Sequence, residues 1–182
     1  VKFLAIDPGS LMTGWALFFG DRLEEWGTVG PLPGAKRYER LPVIMGGLKL
    51  KAHAAEVTAI AWEDSKGPRT PAMLRALLTS LSEWSNDFAG LCGCYVPPTV
   101  RLMVTGRGDW GGRQANKAAT IWAVRLHYPA LGNMELSDHE ADAIAVGHCH
   151  LGRLRLLEMA PAGRDRQAMR DQMAGRRRRA RP

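Results

Sequence analysis

The chain has 182 residues, 46% of them hydrophobic, which is the size of one domain with enough apolar material for a real core. No apolar run approaches the roughly 18 residues that a membrane span needs, so no membrane partner is expected. The formal charge is +7, but eight arginines against two aspartates after residue 163 supply +6 of it, leaving a nearly neutral body with a basic tail. Such a tail suits a polyphosphate partner, because each neutralised phosphate releases counterions.

The opening residues 1–7 read as the start of a strand and carry no basic region or cleavage site of a signal peptide. Three cysteines, Cys92, Cys94 and Cys149, are an odd number, and Cys92-Gly93-Cys94 has no second pair to complete a zinc site. Buried, reduced thiols in a cytoplasmic protein are the expectation.

In chain order, residues 2–6 form a short apolar strand that ends at Asp7, followed by the turn residues Pro8-Gly9-Ser10. Residues 13–19 and 23–29 read as two further strands around the tight turn Gly20-Asp21, giving an antiparallel meander. Residues 37–56 have helical spacing at Leu41, Ile44, Met45, Leu48 and Ala52, weakened by Pro42 and Gly46-Gly47. Residues 57–62 are an apolar strand that runs into Glu63-Asp64. Residues 71–90 read as a helix with Leu74, Leu77, Leu78, Leu81 and Trp84 on its apolar face. Residues 100–104 read as a fifth strand, and 105–112 as a glycine-rich loop with Arg107, Asp109 and Trp110. Residues 113–127 are helical, and a last helix begins at Ser137 and runs to about Glu158. Together these predict a mixed α/β domain over residues 1–160, with the Arg-rich segment 161–182 as a disordered tail.

Asp7 and Glu63 each end an apolar strand that has no other use for a carboxylate. The third acidic element opens the last helix. Ser137 with Glu140 three residues on is a capping box, and the helix dipole accounts for Asp138 and Glu140. It accounts poorly for Asp142, which shares the apolar face of Ala145, Val146 and Cys149, with His139 on the same side. An unpaired charge on a core-facing edge is costly, and a divalent cation shared with Asp7 and Glu63 would balance it. Mg²⁺ takes such oxygen ligands, and two ions roughly 3.5–4 Å apart clamp an in-line phosphoryl displacement. Asp7 would bridge both ions, Glu63 would bind one, Asp142 the other, and His139 would ligate or hold the attacking water. The mixed donor set also accepts Mn²⁺.

These same residues resemble the RuvC-type Holliday junction resolvases of the RNase H-like superfamily. Phe3-Leu-Ala-Ile-Asp7-Pro-Gly-Ser10 followed by Thr13-Gly14-Trp15 looks like the family's opening motif. Ala61-Trp62-Glu63 matches its strand-end glutamate. Asp138-His139-Glu140-Ala141-Asp142-Ala-Ile-Ala-Val-Gly-His148 looks like its final-helix motif, with His139 in the first of two acidic positions. Lys117 resembles the lysine that assists catalysis in the family, where it would stabilise charge on the scissile phosphate. The resemblance covers residues 1–152. It implies an RNase H-like fold with a mixed five-stranded sheet, opened by the meander and covered by helices on both faces. It also implies a homodimer that binds four-way DNA junctions and makes paired symmetric nicks, leaving 5′-phosphates, with no nucleotide cofactor.

The segment 64–70 departs from the family, which often places a wedging aromatic there; here Lys66 and Arg69 are offered as phosphate contacts. Arg107, Arg113 and the tail arginines Arg176, Arg177, Arg178 and Arg179 are further candidate DNA contacts. Trp110 is a candidate to stack on an unpaired base. Three other readings compete. A relaxed RNase H-like nuclease acting on flaps, forks or RNA–DNA hybrids would use the same site. A non-catalytic DNA-binding module would be expected to lose one of the three acidic elements. An actin- or sugar-kinase-like ATPase would need a second lobe and phosphate loop that this length does not hold.

Overall fold

The computed structural model describes residues 1–31, 34–65 and 67–159. Lys66 and the segment 160–182, with the four tail arginines proposed to touch DNA, lie outside the described residues. Residues 1–150 form one compact unit, and residues 151–159 belong to a second.

The meander forms as expected: β1 (Lys2–Asp7), β2 (Thr13–Phe19) and β3 (Arg22–Val29) pair antiparallel in sequence. The chain then crosses over through α1 (Arg37–Ala54) to β4 (Ala59–Glu63), which lies parallel to β1. A second crossover, α2 (Ala72–Trp84), leads to β5 (Gly93–Tyr95), parallel to β4. The sheet order is β3-β2-β1-β4-β5, so the two strands carrying Asp7 and Glu63 are neighbours in its middle. After β5 come α3 (Pro97–Thr105), α4 (Arg113–His127) and α5 (Asp138–Met159).

The period-2 alternation of the strands divides the core in two. Leu4 and Ile6 of β1 and Ile60 and Trp62 of β4 join one cluster with Ile44 and Leu48 of α1 and Leu77, Leu78 and Leu81 of α2. This buried contact carries α1 through Pro42, which sits inside the helix. On the opposite face Phe3 stacks on Phe18 and meets His150 of α5 edge-on, with ring centroids 5.0 and 4.8 Å apart. Buried Tyr95 of β5 shares a 2.7 Å hydrogen bond with Nδ1 of His150. Residues 5 and 7 share the parity of Phe3, so Asp7 belongs to the α5 face. Among the described residues no helix is long and apolar enough to cross a membrane.

Two expected elements are wrong. Residues 100–104 are not a strand but the middle of α3, and the fifth strand is the short β5 just before it. Pro97 and Pro98 favour a first helical turn, where a missing N–H costs nothing. Val100 and Val104, four apart, are the residues α3 buries, and Gly106 with φ 75° ends the helix in the left-handed conformation. The helix expected over 71–90 stops at Trp84, where a 3-10 turn over Ser85–Asp87 takes over. The cysteines are also less uniform than expected. Cys149 is buried and Cys92 half-buried, but Cys94 is exposed, because alternation in β5 turns Gly93 and Tyr95 inward and Cys94 outward.

Leu78 is fully buried in the cluster between the sheet and α2, whereas Leu50 on α1 is 69% exposed. Leu78→Ala is expected to cost about 2–5 kcal/mol in denaturant unfolding, and Leu50→Ala within about 0.5 kcal/mol. Equal costs would contradict this packing.

Candidate active site

The parallel register pairs Phe3 with Ala59, Ala5 with Ala61 and Ile6 with Trp62. Continued by one residue, it sets Asp7 beside Glu63 on adjacent strands, with both side chains on the α5 face. Neighbouring strands lie about 4.8 Å apart, so two carboxylates meet there by construction.

The first turn of α5 closes over them. Ser137 caps it: its hydroxyl accepts from the Glu140 N–H at 3.3 Å, while Glu140 Oε2 accepts from the Ser137 N–H at 2.8 Å. With the helix start so fixed, His139 Nδ1 donates to Asp7 Oδ2 at 2.7 Å. Asp142, one turn further along, projects toward the same acids. Gly14, the β2 partner of Asp7, makes the closure possible: a Cβ there would stand 1.9 Å from the His139 carbonyl oxygen. Gly14 of the opening motif is thus where the last helix docks on β2.

The electrostatics follow from this crowding. The Glu63 carboxyl is pushed up to about 8 by its burial, then by the charges of Asp7 and Asp142. Asp142 is raised to about 7, again by burial first and Asp7 second. The hydrogen bond to Asp7 raises the His139 imidazole, with burial working against it. Cationic charge opposes the crowding from two sides. Lys117, half-buried on α4, forms an ion pair with Asp138 in the first turn of α5 and acts on Asp142 and His139. Arg101 on α3 lowers both Glu63 and Asp142 and donates through Nε to the Gly108 carbonyl at 2.9 Å.

Asp7 on β1, Glu63 on β4, Lys117 on α4 and His139 with Asp142 on α5 are therefore gathered from four elements. Arg69 is exposed on the loop after Glu63, Arg107 and Trp110 are exposed on the loop between α3 and α4, and Arg113 is exposed at the start of α4. Arg101 was missed, because a strand over 100–104 hides its place on a helix beside the acids. The signal was present in Pro97-Pro98 and Gly106, the start and stop of a helix with Arg101 in its middle.

A central sheet that begins as a meander and continues with parallel strands, with acids on its two middle strands and a last helix closing over them, defines an RNase H-like nuclease. The curated crossover junction endodeoxyribonuclease RuvC of Anaeromyxobacter dehalogenans is 33% identical over 173 residues, covering 91% of this chain and 88% of that protein. RuvC of Parvibaculum lavamentivorans is 29% identical over 157 residues, 82% of this chain and 86% of that one. Among solved structures, Thermus thermophilus RuvC superposes with a TM-score of 0.69 at 20% identity, over 86% of this chain and 96% of its own. The Fowlpox virus resolvase, solved with Holliday junction DNA, gives 0.54 at 12% identity, over 85% and 99%. No family profile matches the chain. On the similarity to its curated relatives, the chain belongs to the RuvC family, the crossover junction endodeoxyribonucleases.

Glu63 and Asp142 keep their protons to higher pH when folded than when unfolded, so the folded state binds more protons between about pH 4.5 and 8. The His139–Asp7 pair is likewise strongest while the imidazole is charged and weakens as pH rises. Stability in a chelator is expected to fall by a few kcal/mol from pH 5 to 8.5, roughly 5–10 °C in thermal midpoint. Glu63→Gln with Asp142→Asn should flatten the profile; a midpoint that rises with pH in the parent would contradict the buried acids. Separately, Gly14→Ala is expected to displace the start of α5. A loss of the His139 NMR shift that marks its bond to Asp7, with the fold retained, would register that displacement.

Proposed function

We propose that this chain resolves four-way DNA junctions by hydrolysing a phosphodiester in each of two opposed strands, leaving 5′-phosphate and 3′-hydroxyl ends. The observation that carries it is the juxtaposition of Asp7, Glu63 and Asp142 from three separate elements, two of them held well above the ordinary carboxylate range. The cations at the rim leave Glu63 and Asp142 raised, and a set of carboxylate oxygens with one imidazole nitrogen fits hard divalent ions. Mg²⁺, with Mn²⁺ as a substitute, would clamp the attacking and leaving oxygens when bound. Among the described residues no three acidic, histidine or cysteine side chains are gathered tightly enough to enclose an ion, so the assignment rests on the donor set and its charge.

Asp7 would hold both ions, Glu63 one, and Asp142 with His139 the other. The proton on His139 Nδ1 now binds Asp7, so ligation by that nitrogen would release it. His139 can instead keep its bond to Asp7 and orient the attacking water. Lys117 and Arg101 bring positive charge to the edge of the site, where negative charge develops on the phosphoryl oxygens. The RuvC of Thermus thermophilus has been solved with Holliday junction substrate. A two-fold homodimer would present two such sites to a two-fold substrate. Lys66, Arg69, Arg107, Arg113 and the tail arginines would position the backbone through phosphate contacts.

The test is cleavage of a synthetic four-way junction in Mg²⁺ and in Mn²⁺, beside matched duplex, flap and RNA–DNA hybrid. Paired symmetric nicks are expected in the junction, reduced at least roughly 100-fold in Asp7→Asn. Mg²⁺ is also expected to raise the thermal midpoint of the parent at pH 8.5 and not that of Asp7→Asn. Preferential cutting of flaps or hybrids would replace the junction assignment with a general RNase H-like nuclease.

A further inference from the structure

Trp110 is 39% exposed, and yet it is fixed at both ends. Its backbone N–H donates to Asn116 Oδ1 at 2.7 Å, and its indole Nε1 donates to Thr105 Oγ1 at 3.0 Å. Asn116 is in turn held by Asp109, which accepts from its amide at 3.0 Å and from the Gly111 N–H at 3.2 Å. The Arg107 guanidinium lies over the ring, 5.6 Å from its centroid. The polar atom of the indole is therefore satisfied within the loop, while its apolar ring is left open to solvent in a set orientation. A tryptophan that only filled loop space would bury the ring and expose the N–H.

The loop is also tied to the catalytic machinery at both ends. Arg101, which acts on Glu63 and Asp142, donates to the Gly108 carbonyl of this loop at 2.9 Å. Asn116, which holds the Trp110 backbone, immediately precedes Lys117, the partner of Asp138. What the loop presents is accordingly linked, through Arg101 and Lys117, to the surroundings of the acids.

We propose that residues 105–112 form a prebuilt platform on which Trp110, backed by Arg107, stacks a nucleobase that is unpaired or splayed beside the scissile phosphate. This rests on the nuclease reading above and deepens it. A ring already oriented gives up little conformational freedom on binding, and every base offers a π-face, so the contact selects branched or single-stranded DNA over duplex without reading sequence. Arg107 adds cation–π contact and charge for the adjacent backbone.

The test uses the full chain with Asp7→Asn, so that DNA stays uncut, and four-way junctions carrying 2-aminopurine beside the crossover. Flap, single-stranded and duplex probes run alongside. Trp110→Ala is expected to weaken junction binding about tenfold, within the roughly 5- to 150-fold that one base–aromatic stack supplies, and to remove the change in 2-aminopurine fluorescence. Duplex binding and thermal midpoint should be unchanged, and Trp110→Phe should keep most of the affinity. If Trp110→Ala binds every branched and single-stranded probe like its parent, with the same fluorescence response, the platform is wrong. An equal loss on duplex would overturn it too. Failure of the junction assignment looks different: the parent would prefer flaps or single strands, and Trp110→Ala would still weaken those.

Discussion

Everything at this site depends on the parallel pairing of β1 with β4 in a register that sets Asp7 level with Glu63. Backbone hydrogen bonds of the sheet fix that register, and the apolar residues on its other face defend it: slipping β4 by one position would turn Ile60 and Trp62 away from α1 and α2 and toward α5. The hydrophobic core on one face thus holds two carboxyl groups side by side on the other. That is a division of labour between the faces of one sheet. One face supplies the free energy of folding, and the other spends part of it on an arrangement that repels itself.

The same logic explains why cations stand around the acids rather than between them. Lys117 is engaged with Asp138, and Arg101 with the carbonyl of Gly108, so each is held at the rim by a partner of its own. Neither offsets the burial and the neighbouring acids that hold the Glu63 and Asp142 carboxyls above the ordinary carboxylate range. A lysine inserted directly between Asp7 and Glu63 would relieve the repulsion and fill the space that the proposed ions would occupy. The charge imbalance at the centre and the screening at the edge are two parts of one design.

Much of this was legible in the sequence because the decisive residues sit at positions of low ambiguity. Asp7 and Glu63 end short apolar strands, and Asp142 lies on the buried side of a capped helix, so each was out of place for a structural residue. The meander was equally plain from its alternation and its Gly20-Asp21 turn. The segment 97–106 was not, because Val100, Leu102 and Val104 alternate as a strand would. The helix wins there through Pro97-Pro98, Gly106 and the burial of Val100 and Val104 at one helical turn. With that error went Arg101, whose relevance exists only once α3 is a helix. The role of Gly14 was also invisible as physics: a motif glycine shows that something approaches closely, but only the fold shows that it is the carbonyl of His139.

The order of the site along the chain has a bearing on its synthesis. Asp7 lies on β1 and Glu63 on β4, while His139 and Asp142 arrive only with α5, after both strands have been made. A growing chain can pair its strands and bury the α1 and α2 side of the sheet long before the last two groups exist. Through that interval it carries Asp7 and Glu63 without His139 and Asp142, and without the helix that closes over them. With the site as proposed, cleavage of the nucleic acid around the ribosome would have to wait for that last helix.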